Sequence, residues 1–289
     1  MTALTLALVL ASALVHATWN LWAKQLGPSV RSGPLMWLLT AISSVAYAPF
    51  ALTLLARGTW RPDATAIAFT VGSGMIHVIY FVLLLRGYRI GDLSLVYPVA
   101  RGTGPLLAFA GALLLLHEHA TVLSVAGVVL VATGVAVLAG RPSGADEVQR
   151  DAALRYGLAT GLLIAVYTLW DGWAVRRLGI PPLVFYWGGE VVRVVVFTPA
   201  ALADRAGVAR LWREQRARVL GIALMSPLSY ILVLLAMRMG GISHVAPARE
   251  ISILVGAWLG GRVLGEGERV RRRIAATAFV AGVVALALR

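Results

Sequence analysis

The chain has no cysteine, so disulfides, thiolate nucleophiles and Cys-ligated metals are excluded. It is poor in charge of any kind: 13% of its 289 residues are charged, against 59% hydrophobic, with a mean hydropathy of +0.81. A soluble domain needs far more charge than this, and the composition is that of a membrane protein. Lysine is nearly missing, Lys24 being the single one, so the formal net charge of +13 is carried by arginine. Such a balance could serve nucleic-acid binding, but the arginines stand at the ends of apolar runs, where they anchor helices and set orientation. No nucleic-acid partner is expected. There is no Walker loop, so ATP does not drive this protein. His-x-x-x-His, Glu-x-x-His and acidic clusters are absent, so no metal is expected, and no nucleophile elbow points to catalysis. No cofactor is expected.

What is present is a series of apolar stretches. A hydrocarbon core ~30 Å thick needs ~17–25 apolar residues per helix. Ten runs approach or meet this: Ala3–Ala23, Gly33–Leu55, Ala64–Leu85, Leu93–Leu116, Thr121–Leu138, Leu154–Val175, Pro182–Leu202, Val219–Met237, Ile242–Leu264 and Ile274–Leu288. The last is short, but Arg273 and Arg289 can snorkel from its ends. The first lacks a positive leading region, which argues for a helix over a signal peptide. Arg61-Pro62-Asp63 and Gly140-Arg141-Pro142-Ser143-Gly144 are turn chemistry. The longer polar stretches, Ala139–Ala153 and Ala203–Arg218, read as loops too short to fold alone.

The chain repeats itself. Trp19-Asn20-Leu21-Trp22-Ala23 matches Trp170-Asp171-Gly172-Trp173-Ala174, and Ala48-Pro49-Phe50-Ala51-Leu52 matches Thr198-Pro199-Ala200-Ala201-Leu202. Arg89-Ile90-Gly91-Asp92-Leu93-Ser94 matches Arg238-Met239-Gly240-Gly241-Ile242-Ser243, a register that sets Pro98 on Pro247 and, after one deletion, Arg101 on Arg249. The matches predict a duplication. Five helices per half is an odd number, so the halves insert in opposite senses, the plan of secondary transporters. The expected fold is therefore an all-α integral membrane protein of ten transmembrane helices in two inverted five-helix repeats. Its divisions are a first repeat over 1–140, a linker over 141–153 and a second repeat over 154–289. Arginine concentrates after odd-numbered runs, as in Arg205, Arg210, Arg213, Arg216 and Arg218, and in Arg269 with Arg271, Arg272 and Arg273. By the positive-inside rule those loops are cytoplasmic and the termini outside.

The phrases His16-Ala17-Thr18-Trp19-Asn20 and Tyr97-Pro98-Val99-Ala100-Arg101-Gly102, with the run endings Leu115-Leu116-His117-Glu118 and Val263-Leu264-Gly265-Glu266, resemble the EamA-type drug/metabolite transporters. The likeness spans the chain and implies a ten-helix basket with a central cavity, used mostly for exporting small metabolites. Many relatives keep their termini in the cytoplasm, opposite to the orientation that the charges give here.

Polar groups inside apolar runs carry the functional reading. Pro98 and Pro247 each remove a helical hydrogen bond and predict breaks in the fourth and ninth runs. Beside them, Arg101 and Arg249 cost at least ~2.5–3.5 kcal/mol on insertion scales, so both should face the bundle interior. His16 and Asn20 lie four apart, as do Tyr167 and Asp171, and Tyr186, Glu190 and Arg193 follow at spacings of four and three. His77, Tyr80, Ser229 and Tyr230 add to the set. Glu190 and Arg193 can pair with each other. Glu118 and Glu266, at run ends, read as caps or interface residues. The candidate substrate site is Arg101, Arg249, His16, Asn20, Tyr97, Trp170, Asp171, Glu190 and Tyr230. The expected partners are the lipid bilayer and a small molecule, with Asp171 and Glu190 as candidates for proton coupling, in a monomer or homodimer of a bacterial cytoplasmic membrane. The expected function is secondary transport, as an exporter, of a small polar metabolite bearing an anionic group, such as an amino acid, an organic acid or a phosphonate. A membrane-embedded metabolite sensor and a lipid head-group-handling protein are the alternatives.

Overall fold

The computed structural model describes residues 1–27, 30–58, 60–90, 93–139, 147–263 and 269–288. Their regular elements are all helices: α1 (Ala3–Lys24), α2 (Ser32–Ala56), α3 (Ala64–Ile90), α4 (Leu93–Leu116), α5 (Val122–Ala139), α6 (Glu147–Arg176), α7 (Pro182–Ala203), α8 (Arg205–Gly240), α9 (Ile242–Ala248), α10 (Ile251–Val263) and α11 (Arg269–Ala287). Seven of them, α1 to α4 and α6 to α8, are long and apolar enough to cross a membrane. The chain is an all-helical, multi-pass membrane protein. In hydrocarbon every backbone group must be satisfied internally, which is why its apolar runs become helices. Side-chain oxygens fix several starts. Asp63 Oδ1 accepts from Ala66 N at 2.7 Å, Thr121 Oγ1 from Ser124 N at 3.1 Å, and Asp204 Oδ1 from Gly207 N at 3.0 Å.

Two stretches expected to be loops are helical. α6 begins at Glu147, inside the expected linker, and α8 begins at Arg205, so 205–218 is no loop. Ala and Arg are strong helix formers, Asp204 supplies the cap, and Leu211 is buried against Leu38 and Val219. Thirty-six residues of helix would reach ~54 Å, well beyond the hydrocarbon. α8 accordingly breaks at Gln215, at φ −130° and ψ 18°.

The ninth run is two helices. Pro247 has no N–H to give Ser243, and α9 ends one residue later, at Ala248. The chain then passes Arg249 and Glu250 in a tight turn. Glu250, Ser252 and Ile253 each donate to the carbonyl three residues back, at 3.1, 3.1 and 2.9 Å. α4 has no matching break and stays helical through Pro98, a correction to the expected symmetry. Pro98 stands sixth in α4 as Pro247 does in α9, so the proline alone does not end a helix here. The side chains of Tyr97 and Pro98 lie outside the described residues, as do Glu266 and the 140–146 turn.

The helices cross in matched pairs. α1 packs on α8 and α6 on α3; α4 packs on α6 and α10 on α1; α2 meets α7 and α5 meets α11. Without a hydrophobic drive between helices in lipid, close approach depends on small residues. A Cβ on Gly282 would lie 2.8 Å from the Gly127 carbonyl oxygen, so α5 and α11 touch backbone to backbone. Gly157 and Gly161 of α6 bring it against Val99 and Thr103 of α4 in the same way. Trp37 of α2 donates to Thr198 Oγ1 of α7 at 3.1 Å, and Trp187 of α7 donates back to the Ser44 carbonyl of α2 at 2.9 Å.

Candidate functional site

A chain of charged and aromatic side chains runs through the middle of the bundle. At one end stands Glu250, fully buried in the α9–α10 turn. Its Oε2 lies 2.9 Å from Arg101 Nη2 of α4, and its Oε1 accepts from Arg249 Nε at 3.3 Å. Arg249, itself buried, donates through Nη2 to Tyr167 Oη of α6 at 3.1 Å and stands 5.6 Å over that ring. Tyr167 leans on His77 of α3, with ring centroids 4.5 Å apart, and on Tyr80 at 5.5 Å. His77 Nε2 is 3.9 Å from Asp171 Oδ2, and Tyr230 of α8 donates to that same oxygen at 2.8 Å. The Tyr230 ring leads on to Tyr186 of α7, at 5.6 Å, and Arg193 stands 5.0 Å over Tyr186. Arg193 ends the chain by pairing with Glu190, one helical turn away, at 2.8 Å. Asp171, Glu190 and Arg193 are all buried.

Burying ionisable groups is costly, and most of those here are paired or hydrogen-bonded. The proline-bounded turn matters here. It sets Arg249 and Glu250 on consecutive residues outside regular helix, so one side chain reaches Tyr167 and the other lies between both guanidinium groups.

Several candidates meet in this chain: Arg101, Arg249, Asp171, Glu190 and Tyr230. Pro247 borders it, lining with Arg101 a cleft whose other wall is Val128, Val131 and Val135 of α5. His16 is half-buried, edge-on to Trp19 at 4.9 Å, and near enough to Arg101 and Arg249 to sense both charges. Two candidates fall elsewhere. Asn20 is exposed and donates to the His16 carbonyl of its own helix at 2.7 Å, a common local bond for Asn that keeps it out of the interior. Trp170 is a packing residue rather than a pocket wall. It stacks on Phe69 at 4.3 Å, donates to the Phe69 carbonyl at 2.8 Å, and fills the space left by Gly72. The residues that the candidate set lacks are Glu250, Tyr167, His77, Tyr186 and Arg193. The signal for Glu250 is its place next to Arg249, because a buried guanidinium needs a carboxylate close by.

Glu250 lies between the guanidinium groups of Arg101 and Arg249 and engages both.

A second polar cluster closes one end of the bundle. His117, at φ +54°, turns the chain out of α4 and aims Glu118 across the seam. Glu118 accepts from Ile242 N at 3.0 Å, Ser243 N at 2.9 Å and Ser243 Oγ at 2.6 Å, capping α9, and pairs with Arg176 at the end of α6. Burial alone would push its carboxyl up. The bonds from Ser243 and Ile242, with the Arg176 charge, outweigh this and hold it below the usual carboxylate range.

No family model and no curated protein matches this sequence. Chains of solved structures do match, 29 of them. One crystal structure superposes with a TM-score of 0.77 over 98% of this chain and 96% of its own, at 16% identity. At that identity the likeness shows the fold alone.

Proposed function

We propose that this chain is a secondary transporter of the EamA type, ten transmembrane helices in two inverted five-helix halves, exporting a small polar metabolite by alternating access. The observation that carries this reading is the buried polar chain at the seam. The first half supplies Arg101, His77 and Tyr80, and the second supplies Tyr167, Asp171, Tyr230, Arg249 and Glu250. Ionisable residues at membrane depth, drawn from two repeats and beside a broken helix, are the usual make-up of a transport site. The helix pairings support the inverted plan. Exchanging the halves turns α1 on α8 into α6 on α3, and α4 on α6 into the ninth crossing on α1, while α2 with α7 and α5 with α11 map onto themselves. In this plan α9 and α10 together make that crossing, and α5 and α11 are its two short ones.

The substrate carries a carboxylate, phosphate or phosphonate that competes with Glu250 for the two guanidinium groups. Arginine's planar fork suits such oxygens, and Glu250 holds both forks ready while the site is empty of solute. Amino acids and small organic acids are the leading class, and the membrane is a bacterial cytoplasmic one. The test is flux of radiolabelled amino acids and organic acids across proteoliposomes. Uptake of a subset, weakened at least tenfold by Arg249→Lys, supports the reading. Binding without flux sinks it in favour of a sensor, and chemical change of the solute would make the chain an enzyme. Glu250→Gln should raise apparent affinity for the anion, because it removes the internal competitor.

A further inference from the structure

We propose that Asp171 and His77 form a proton-binding pair, and that this proton is the ion coupled to transport. The coupling half rests on the reading above; the binding half does not.

Three carboxylates are buried in the central chain, and two are engaged by guanidinium: Glu250 by Arg101 and Arg249, Glu190 by Arg193. Asp171 differs. It has no exposed surface, and among the described residues no arginine or lysine is within ion-pair distance of it. Its Oδ2 holds the Tyr230 hydroxyl, and the Ser73 hydroxyl stands beside the carboxyl, so its neighbours there are neutral hydroxyl groups.

The imidazole opposite completes the site. His77 Nδ1 lies 2.9 Å from the Ser73 carbonyl oxygen. A carbonyl only accepts, so Nδ1 carries the hydrogen, and in neutral imidazole Nε2 is then a bare acceptor. That lone pair faces Asp171 Oδ2 at 3.9 Å. The two acceptors lie 3.9 Å apart, and a proton shared between them would draw them about 1 Å closer into a hydrogen bond. Bound on the Asp171 carboxyl, the proton gives O–H···N to the imidazole. The proton arrives and leaves as H⁺, and no other reagent is consumed.

Titratable and charged neighbours reach Asp171 from several packed elements, and α9 meets α6 through Ile242 at Gly172. α3 presents His77 and Ser73, α8 presents Tyr230, and α6 itself presents Tyr167. Arg193 of α7 and Arg249 of the α9–α10 turn act on Asp171 at longer range, through space. α4 meets α6 through Val99, Thr103, Gly104 and Gly111, none of them titratable. Because α3 belongs to the first half and α6 to the second, the proton draws the seam together at Asp171, and its loss sets two lone pairs against each other there.

The experiment is infrared difference spectroscopy on the full chain in lipid nanodiscs, between about pH 9 and pH 6, where exposed carboxylates stay ionised. A protonated-carboxyl band should grow on acidification in the wild type and in Glu190→Gln, and be absent from Asp171→Asn. The same band in Asp171→Asn, or none in the wild type, overturns the proposal. Should Asp171→Asn fail to fold, His77→Gln decides: its amide donates to Asp171 in place of the proton, so the pH-dependent band should vanish, and an unchanged band overturns the pair. The coupling half is read in proteoliposomes carrying labelled amino acids and organic acids. Wild-type flux should respond to an imposed pH gradient and that response should be lost in Asp171→Asn; wild-type flux indifferent to the gradient overturns coupling. No flux of any solute would refute the transporter reading while leaving the infrared result to stand or fall separately.

Discussion

Replacing Glu118 by Gln tests how firmly the end of the bundle is closed. Four donors converge on this carboxylate: two backbone N–H groups, the Ser243 hydroxyl and the Arg176 guanidinium. Glutamine keeps the shape but offers one acceptor oxygen and turns an NH₂ group toward donors. A hydrogen bond to a charged acceptor contributes ~1.5–3 kcal/mol against ~0.5–1.5 for a neutral one. The Arg176 side chain is 38% exposed, so its pairing adds only ~0–1 kcal/mol. Weakening the Ile242 and Ser243 bonds together therefore loosens the start of α9 by about 1.5–3 kcal/mol, or roughly 10–100-fold in local opening. Amide hydrogen exchange reads this directly: Ile242 and Ser243 should lose protection by that factor while amides in α5 stay unchanged. The stabilisation also depends on pH in a defined sense. The folded carboxyl sits below its ordinary value of 4.5, so the contribution is complete above that value and disappears as pH falls through the folded one. The gap in melting temperature between wild type and Glu118→Gln should hold at neutral pH and shrink below 4.5. Equal exchange at Ile242 in the two proteins would refute the latch.

Arg193→Met strands Glu190 in the interior and should cost ~3–5 kcal/mol, with Glu190→Met in the same chain recovering most of it; tryptophan-monitored melting compares the three proteins. Gly282→Ala puts a methyl group 2.8 Å from the Gly127 carbonyl oxygen, which backbone cannot yield, and should destabilise by ~1–3 kcal/mol in the same assay. The chain is free of cysteine, so orientation is read without background. Glu214→Cys should resist impermeant thiol reagents in intact cells and Thr2→Cys should react, and the reverse pattern would invert the assigned orientation.

Membrane class was legible in the sequence because it depends on composition and run length, which are properties of single stretches. So was the burial of Arg101, Arg249 and Asp171, since charge inside an apolar run has few places to go. Partner choice was not legible. Glu250 lies between Arg101 and Arg249 because the chain leaves helical geometry just after Pro247, and no spacing rule gives the direction of a side chain in an irregular turn. Trp170 shows a second limit of spacing rules. Its neighbour Asp171 faces the polar chain, but adjacent helical positions are about 100° apart, and Trp170 meets Phe69 and Gly72 instead. The symmetry between Pro98 and Pro247 failed although each stands sixth in its helix, because a proline removes one bond without by itself ending a helix.

The contact between α5 and α11 has a mechanical consequence. At Gly127 and Gly282 backbone lies against backbone, with the Leu286 and Val131 side chains closing round the contact, so α5 and α11 resist sliding along one another. Under the transporter reading proposed above, rocking of one half against the other pivots at Gly127 and Gly282. Under the same reading, α2 and α7 meet across the same boundary through paired indole hydrogen bonds, which can bend or break where backbone contact cannot.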